Sequence, residues 1–136
     1  MGRGTATDLP LDHQLGFGPP DLEVPVVCVI GEGSVQYAVP AFWTAATYGV
    51  PVTFLVLRNE EYAILKWFQE IEQLSGSPGL DLPALDTAAI AGGYGVTSTV
   101  VSTMDELEQA LAGAFGDRSD GPRLIEVPIG KGIALF

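Results

Sequence analysis

The stretch VVCVIGEGSVQYAVPAFWTAATYGVPVTFLVLRNEEY, residues 26–62, decides the fold. It holds two apolar runs, 26–30 and 52–57, each closed by a polar cluster. The first cluster is Gly31-Glu32-Gly33-Ser34 and the second is Arg58-Asn59-Glu60-Glu61. One helix-length segment separates them. Valine-rich runs of this kind read as strands covered on both faces, as in parallel sheets. If the two strands are parallel neighbours, both clusters leave the sheet at one edge. A carboxylate and a carboxamide then stand side by side next to a glycine-flanked helix start, which suits a metal ion bound to a phosphate.

Outward from this stretch the same alternation continues. Residues 1–23 read as an irregular leader, dense in Gly16, Gly18, Pro19 and Pro20 and without a sustained period. His13, the single histidine, reads as a surface residue there and not as a catalytic one. A strand over 24–30 is followed by a helix from about residue 35 to 48. Pro40 suits a first helical turn, so the true start falls nearer Val39. Gly49 ends that helix and Pro51 blocks its extension. After the strand 52–57, a helix over 61–74 places Ile64, Leu65, Phe68, Ile71 and Leu74 on one face. A short alanine-rich helix is predicted over 83–92 and a strand over 96–101. Thr103 and Glu106 have capping-box spacing before a helix over 104–115, and a last strand spans 123–129. This order predicts one α/β domain over 24–136, a three-layer, doubly wound, mainly parallel sheet with right-handed crossovers. Ligands of such sheets sit outside the carboxyl ends of the strands, where both clusters lie.

Composition narrows the function classes. A chain of 136 residues, 47% of them apolar, can build a core and is not disordered. The net charge is −11 with six Lys and Arg and no basic stripe, which argues against nucleic acid as a partner. No apolar run approaches the ~20 residues of a membrane span, and the first residues lack the apolar stretch of a secretory signal. Cys28, the single cysteine, sits in an apolar run. It reads as a small buried hydrophobe, and a cytoplasmic setting is expected. An anionic ligand would need local backbone donors or a metal, because the overall field repels it.

The two clusters carry the chemistry. Gly31 and Gly33 let a backbone approach a ligand, but no Gly-Lys-Ser/Thr follows, so this is not a P-loop. No third glycine stands where the dinucleotide fingerprint requires it. Asn59 taken alone is a turn residue or helix cap. Paired with Glu32 on the adjacent strand it offers oxygen ligands of the kind Mg²⁺ or Ca²⁺ prefers, with a main-chain carbonyl and phosphate oxygens completing the shell.

From Gly31 to Tyr62 the sequence resembles the cofactor motif of thiamine-diphosphate-dependent enzymes, which begins Gly-Asp-Gly and ends at an Asn-Asn pair after the next strand. The likeness covers roughly residues 24–129, including YAILKWF (62–68), PGLDLPALD (78–86), GGYGV (92–96) and the closing RLIEVPI. Within the family it is to the benzoylformate decarboxylases. The resemblance implies the diphosphate-binding domain of a 2-oxo-acid decarboxylase, with thiamine diphosphate and Mg²⁺ as cofactors. It implies that Glu32, Asn59 and the main-chain carbonyl of Glu61 hold the metal. It further implies that Gly31, Gly33, Ser34 and Tyr62 contact the cofactor, and that Leu65 and Phe68 line the substrate pocket. Core packing on the apolar helix face is the other reading of those last two. No catalytic residue is assigned to this chain. The implied partners are an aminopyrimidine-binding domain or subunit, a small 2-oxo acid and further copies in a homo-oligomer, with neither nucleic acid nor membrane.

Three departures from the pattern qualify that expectation. Glu32 replaces aspartate, one methylene longer at a position where Mg²⁺ tolerates little error. Arg58-Asn59-Glu60-Glu61 stands where relatives often have Asn-Asn-Gly. Pro19-Pro20-Asp21 follows Leu15–Gly18 at once, so the helix expected before the first core strand is missing and apolar surface should be exposed. The alternatives are a remnant or interaction module of the same fold that no longer binds cofactor, and an acetolactate-synthase-like carboligase domain.

Overall fold

Alternation along the second apolar run sets the layers: Val52, Phe54 and Val56 point to one face of a sheet, and Thr53, Leu55 and Leu57 to the other. The computed structural model describes residues 25–74, 76–116 and 121–132. Its strands are β1 (Val26–Gly31), β2 (Val52–Arg58), β3 (Thr97–Val100) and β4 (Arg123–Pro128). Its helices are α1 (Glu32–Val35), α2 (Pro40–Thr47), α3 (Ala63–Ile71), α4 (Thr87–Gly93) and α5 (Met104–Gly116). The strands run parallel in the order β1-β2-β4-β3.

One face carries the core. Cys28, Ile30, Val52, Phe54, Val56 and Leu124 of the sheet pack against Phe42 and Ala45 of α2 and Ala91 of α4. Phe42 and Phe54 meet edge to face, their centroids 5.0 Å apart, the favoured aromatic geometry. On the other face Thr99, Arg123 and Ile125 look across a cavity at Gln109, Ala110 and Gly113 of α5. Helices therefore lie on both sides, and the layering is that of the expected three-layer α/β sheet. The crossovers through α2 and α4 step one way across the sheet on one face. The crossover through α5 steps back on the opposite face, as right-handed connections demand.

Both core helices stop by the same device. In α2 the amide of Val50 bonds the carbonyl of Ala45 and that of Gly49 bonds Ala46; in α4, Val96 bonds Ala91 and Gly95 bonds Gly92. Gly49 and Gly95 take φ of 61° and 89°. These are Schellman ends, with an apolar contact between the residue after the glycine and the last helical turn. Each aims the chain straight into the following strand.

Three expectations change. The segment after β1 is two helices, because Pro40 has no amide to continue the first; it occupies the first turn of α2, with Val39 as its cap. The helix predicted over 83–92 begins only at Thr87. Pro83 and Ala84 stay in the loop, Ala84 at φ 58°, and the Asp86 carboxylate caps the helix by accepting from the Ala89 amide. β1 is not covered on both faces: it borders the sheet among the described residues, and Val27 and Val29 are 38% and 61% exposed. α5 reaches only the β3–β4 half of that face. β1 thus exposes apolar surface among the described residues. The leader 1–23 and its Leu15–Gly18 segment lie outside the described residues. Elsewhere the capping box forms as read, the Glu106 amide bonding Thr103 Oγ1 and the Thr103 amide bonding Glu106 Oε2. Among the described residues no helix is long and apolar enough to cross a membrane.

Two glycine substitutions separate backbone strain from space. Gly95→Ala would meet only ordinary contact, at 3.6 Å from Ala46 Cβ, so its cost is that of a left-handed residue, about 1–2 kcal/mol. Gly92→Ala has open space around its Cβ inside α4 and should be neutral or stabilising by up to about 1 kcal/mol. Urea unfolding of the two variants checks both signs.

Candidate functional site

β1 and β2 end level, Gly31 in register with Leu57, so the clusters that follow them meet. Glu32 opens α1 and is 2% exposed. Its Oε1 accepts from the amides of Asn59 at 3.0 Å and Glu60 at 2.5 Å. Both bonds fall on one oxygen, and the described partners of this buried carboxylate are amides, not a cation. The Glu32 side chain spans the gap to the turn beyond β2. Asn59 Oδ1 accepts from the Glu61 amide at 3.2 Å. This is the turn-residue reading, and it occupies only one of the two lone pairs of that oxygen.

Glu60 has φ 60°, a left-handed conformation that costs a non-glycine residue of order 1–3 kcal/mol. Its surroundings over-determine it. Its amide bonds Glu32, its carbonyl accepts from Leu82 at 2.9 Å, and its carboxylate meets Arg58 Nη1 at 2.9 Å and Lys131 Nζ at 3.5 Å.

Glu61 is 8% exposed. Its side chain is engaged on both oxygens, by Lys66 Nζ at 2.6 Å and by the Gly132 amide at 2.5 Å. Lys66 also binds Asp81 at 2.6 Å, and the Glu61–Asp81 bridge joins the two loops. Lys66 holds the Glu61 carboxyl below the usual carboxylate range, with the Gly132 amide adding to it. The same ammonium lowers Asp81, and Asp81 and Glu61 together raise Lys66. Any part Glu61 takes in holding a metal thus belongs to its main-chain oxygen.

Gly33 and Tyr62 are packed together. A Cβ on Gly33 would lie 2.4 Å from a Tyr62 ring carbon and 3.2 Å from Leu82 Cδ1. The Tyr62 hydroxyl donates to the Gly33 carbonyl at 3.4 Å. Gly31 forms the last residue of β1, and Ser34 is exposed on α1. Gly31, Glu32, Gly33, Asn59, Glu61 and Tyr62 are thus brought together at one sheet edge. Leu65 and Phe68 lie on the helix that follows, 46% and 50% exposed. α3 buries no residue, so their core-packing reading fails within the described residues.

Two parts of this site were not read from the sequence. One is the clasp of Lys66, Asp81 and Gly132 on Glu61. The other is the buried pair Arg58–Glu126, with Nε and Oε1 2.8 Å apart. The available signals were the single cation of α3 and charged residues inside strand runs.

Three of the chain's six Lys and Arg gather here with five carboxylates: Arg58, Lys66 and Lys131 pair with Glu60, Glu61, Asp81 and Glu126, and the fifth, Glu32, is met by amides. Two formal negative charges remain, the complement of one divalent cation. The described residues contain no cluster of three or more His, Cys, Asp or Glu able to cage a metal. The donor set is one buried carboxylate and one carboxamide, all oxygen. That fits a hard ion such as Mg²⁺, which keeps water and phosphate in its shell and does not need an all-protein cage.

Residues 4–127 match the family described as the C-terminal TPP binding domain of thiamine pyrophosphate enzymes. The chain is 45% identical over 122 residues to benzoylformate decarboxylase of Pseudomonas aeruginosa, covering 84% of this chain and 23% of that protein. It superposes on the crystal structure of benzoylformate decarboxylase from Polynucleobacter necessarius with a TM-score of 0.75 at 42% identity, over 82% of this chain and 21% of that one. The thiamine diphosphate-dependent 4-hydroxybenzoylformate decarboxylase of Rhodococcus jostii RHA1 gives 0.73 at 39% identity, over 78% and 20%. The chain thus spans less than a quarter of the relatives it matches.

Gly33→Ala is expected to destabilise by about 1–3 kcal/mol through overpacking, and less so in a Tyr62→Ala background. Denaturant midpoints of the two singles and the double measure that coupling. A second expectation concerns pH. The lowered carboxyls of Glu61 and Asp81 contribute stability that is present above ordinary carboxylate pKa values and lost as pH falls through their depressed ones. The raised Lys66 contributes stability below about pH 10.4, lost as pH rises further. The stability gap between the native chain and Lys66→Met should therefore hold from pH 5 to 9 and shrink toward about pH 3, as thermal melts across pH can show.

Proposed function

Because the chain belongs to the family of C-terminal thiamine-pyrophosphate-binding domains of thiamine pyrophosphate enzymes, we propose that it holds the diphosphate end of thiamine diphosphate through Mg²⁺. The enzyme it serves is a 2-oxo-acid decarboxylase of the benzoylformate decarboxylase kind, which turns an aromatic 2-oxo acid into an aldehyde and CO₂. The observation that carries the proposal is the burial of the Glu32 carboxylate against the Asn59–Glu60 turn, with amides and no cation as its described partners. Two amides meet one oxygen of this buried carboxylate, and a divalent ion at the other would meet the charge that remains.

Bound thiamine diphosphate supplies a carbon nucleophile and an electron sink for the departing CO₂. The chain's own residues bind and orient. Glu32 and Asn59 ligate the metal with the main-chain oxygen of Glu61. Gly31 and Gly33 let the backbone approach the diphosphate, and Gly33 has no alternative, since Tyr62 fills the space of a side chain. Ser34 offers its exposed hydroxyl to the same group. Tyr62 fixes the Gly33 peptide. Leu65 and Phe68, exposed on α3, present an apolar wall to the aromatic part of the substrate.

The remaining parts are supplied from elsewhere. An aminopyrimidine-binding domain or subunit completes the cofactor site, in a homo-oligomer and a cytoplasmic setting. The domain itself spans 24–136, and no residue in it moves a proton in the reaction.

Titration calorimetry with thiamine diphosphate and Mg²⁺ tests the proposal. Binding is expected for the native chain and lost in Glu32→Ala and Asn59→Ala. A flat titration of the native chain at millimolar ligand overturns it, in favour of a module that has kept the fold without the cofactor. The chain with cofactor and Mg²⁺ but no aminopyrimidine-binding partner should form no aldehyde from benzoylformate.

A further inference from the structure

Glu126 is 3% exposed and lies on β4 between Val56 of β2 and Val100 of β3. Its Oε1 is 2.8 Å from Arg58 Nε. That nitrogen nevertheless makes no directed hydrogen bond, so the contact is an ion pair set off the N–H axis. Oε2 has no hydrogen-bond partner among the described residues, and Glu126 lines a cavity of about 370 Å³ together with Arg58, Leu85 and Val100. A pair this imperfectly satisfied is poor value for stability, because desolvation of the two charges rivals their attraction. Its geometry points to a different use.

Arg58 is the last residue of β2, and the metal turn begins at the next residue. Its Nη1 bonds Glu60 Oε1 at 2.9 Å. Glu60 is the residue strained at φ 60°, and its amide, with that of Asn59, grips Glu32 Oε1. A continuous run of contacts therefore leads from Glu126 inside the sheet through Arg58 and Glu60 to Glu32. A strained turn persists only while its surroundings hold it, and this run is the restraint anchored in the sheet. Lys131, the other cation on Glu60, is 3.5 Å away on a half-exposed side chain.

We infer that Glu126 is a positioning residue: it fixes the Arg58 guanidinium, and through it the 59–60 turn whose amides orient the Glu32 carboxylate. The consequence for metal binding rests on the reading of Glu32 as a ligand. The consequence for the turn does not.

Glu126→Gln in the full chain keeps the shape and removes the charge. Amide hydrogen exchange without ligand should show Asn59 and Glu60 exchanging about tenfold faster while Phe54 and Leu124 are unchanged, a local opening and not a global one. Mg²⁺-dependent binding of thiamine diphosphate by the same variant should weaken by about 10- to 100-fold, as for other groups that orient a metal ligand. Exchange at 59 and 60 that stays at the native rate, or that rises uniformly with the core, overturns the inference. A native chain that binds no cofactor sinks the functional proposal instead, and the exchange result still decides this one. If Glu126→Gln does not fold, Arg58→Gln opens the same pair from its 24% exposed end, with the same pattern of exchange expected and the same results against it.

Discussion

Glu32 reaches from the end of β1 to the amides of Asn59 and Glu60 beyond β2, and the rest of the site depends on that reach. The carboxylate is buried, so its charge must be met by donors or a cation. The two amides meet one oxygen and in doing so stabilise a turn that would otherwise be strained at Glu60. Aspartate at this position would be a methylene shorter and could not span the same gap without movement of the backbone. The reach of the Glu32 side chain thus supplies hydrogen bonds that hold the Arg58-Asn59-Glu60-Glu61 turn.

The turn is secured from several directions by charges drawn from distant parts of the chain. Lys66 of α3, Asp81 of the following loop and Gly132 after β4 hold Glu61; Arg58 and Lys131 hold Glu60. In a chain of net charge −11 this is where cations are concentrated. Even so the site stays negative, which favours a divalent metal before an anion can be accepted.

Packing is uneven around this centre. The face covered by α2 and α4 carries a continuous core, with Ala45, Val56 and Ala91 fully buried. Among the described residues the opposite face is covered by α5 only over β3 and β4. Val27 and Val29 of β1 are left open, and Ile64, Leu65, Phe68 and Ile71 form an exposed stripe on α3. Apolar patches of this kind mark surfaces made for a partner or a ligand. The stripe that carries Leu65 and Phe68 starts two residues beyond Tyr62, at Ile64, next to the proposed cofactor.

Much of the fold was legible in the sequence because it rests on local periodicity. The valine runs as strands, the glycine stop at Gly49, Pro40 in a first turn and the Thr103–Glu106 box each act within a few residues of themselves, and each formed as read. The two clusters were legible for the same reason: parallel neighbours must release Glu32 and Asn59 at one edge. Where local signals competed, the reading slipped, as when the alanines after Pro83 masked the cap at Asp86. Burial was out of reach, since a valine run looks the same whether or not a helix covers it, and α3 shows the periodicity of a core helix while burying nothing. Only the tertiary structure decided that Glu32 bonds the 59–60 turn, that Lys66 clasps Glu61 and that Glu126 pairs with Arg58. Those partners stand 5 to 71 residues apart when Glu61's contacts with Lys66 and Gly132 are counted. They meet through sheet order and loop return, which no periodicity along the chain encodes.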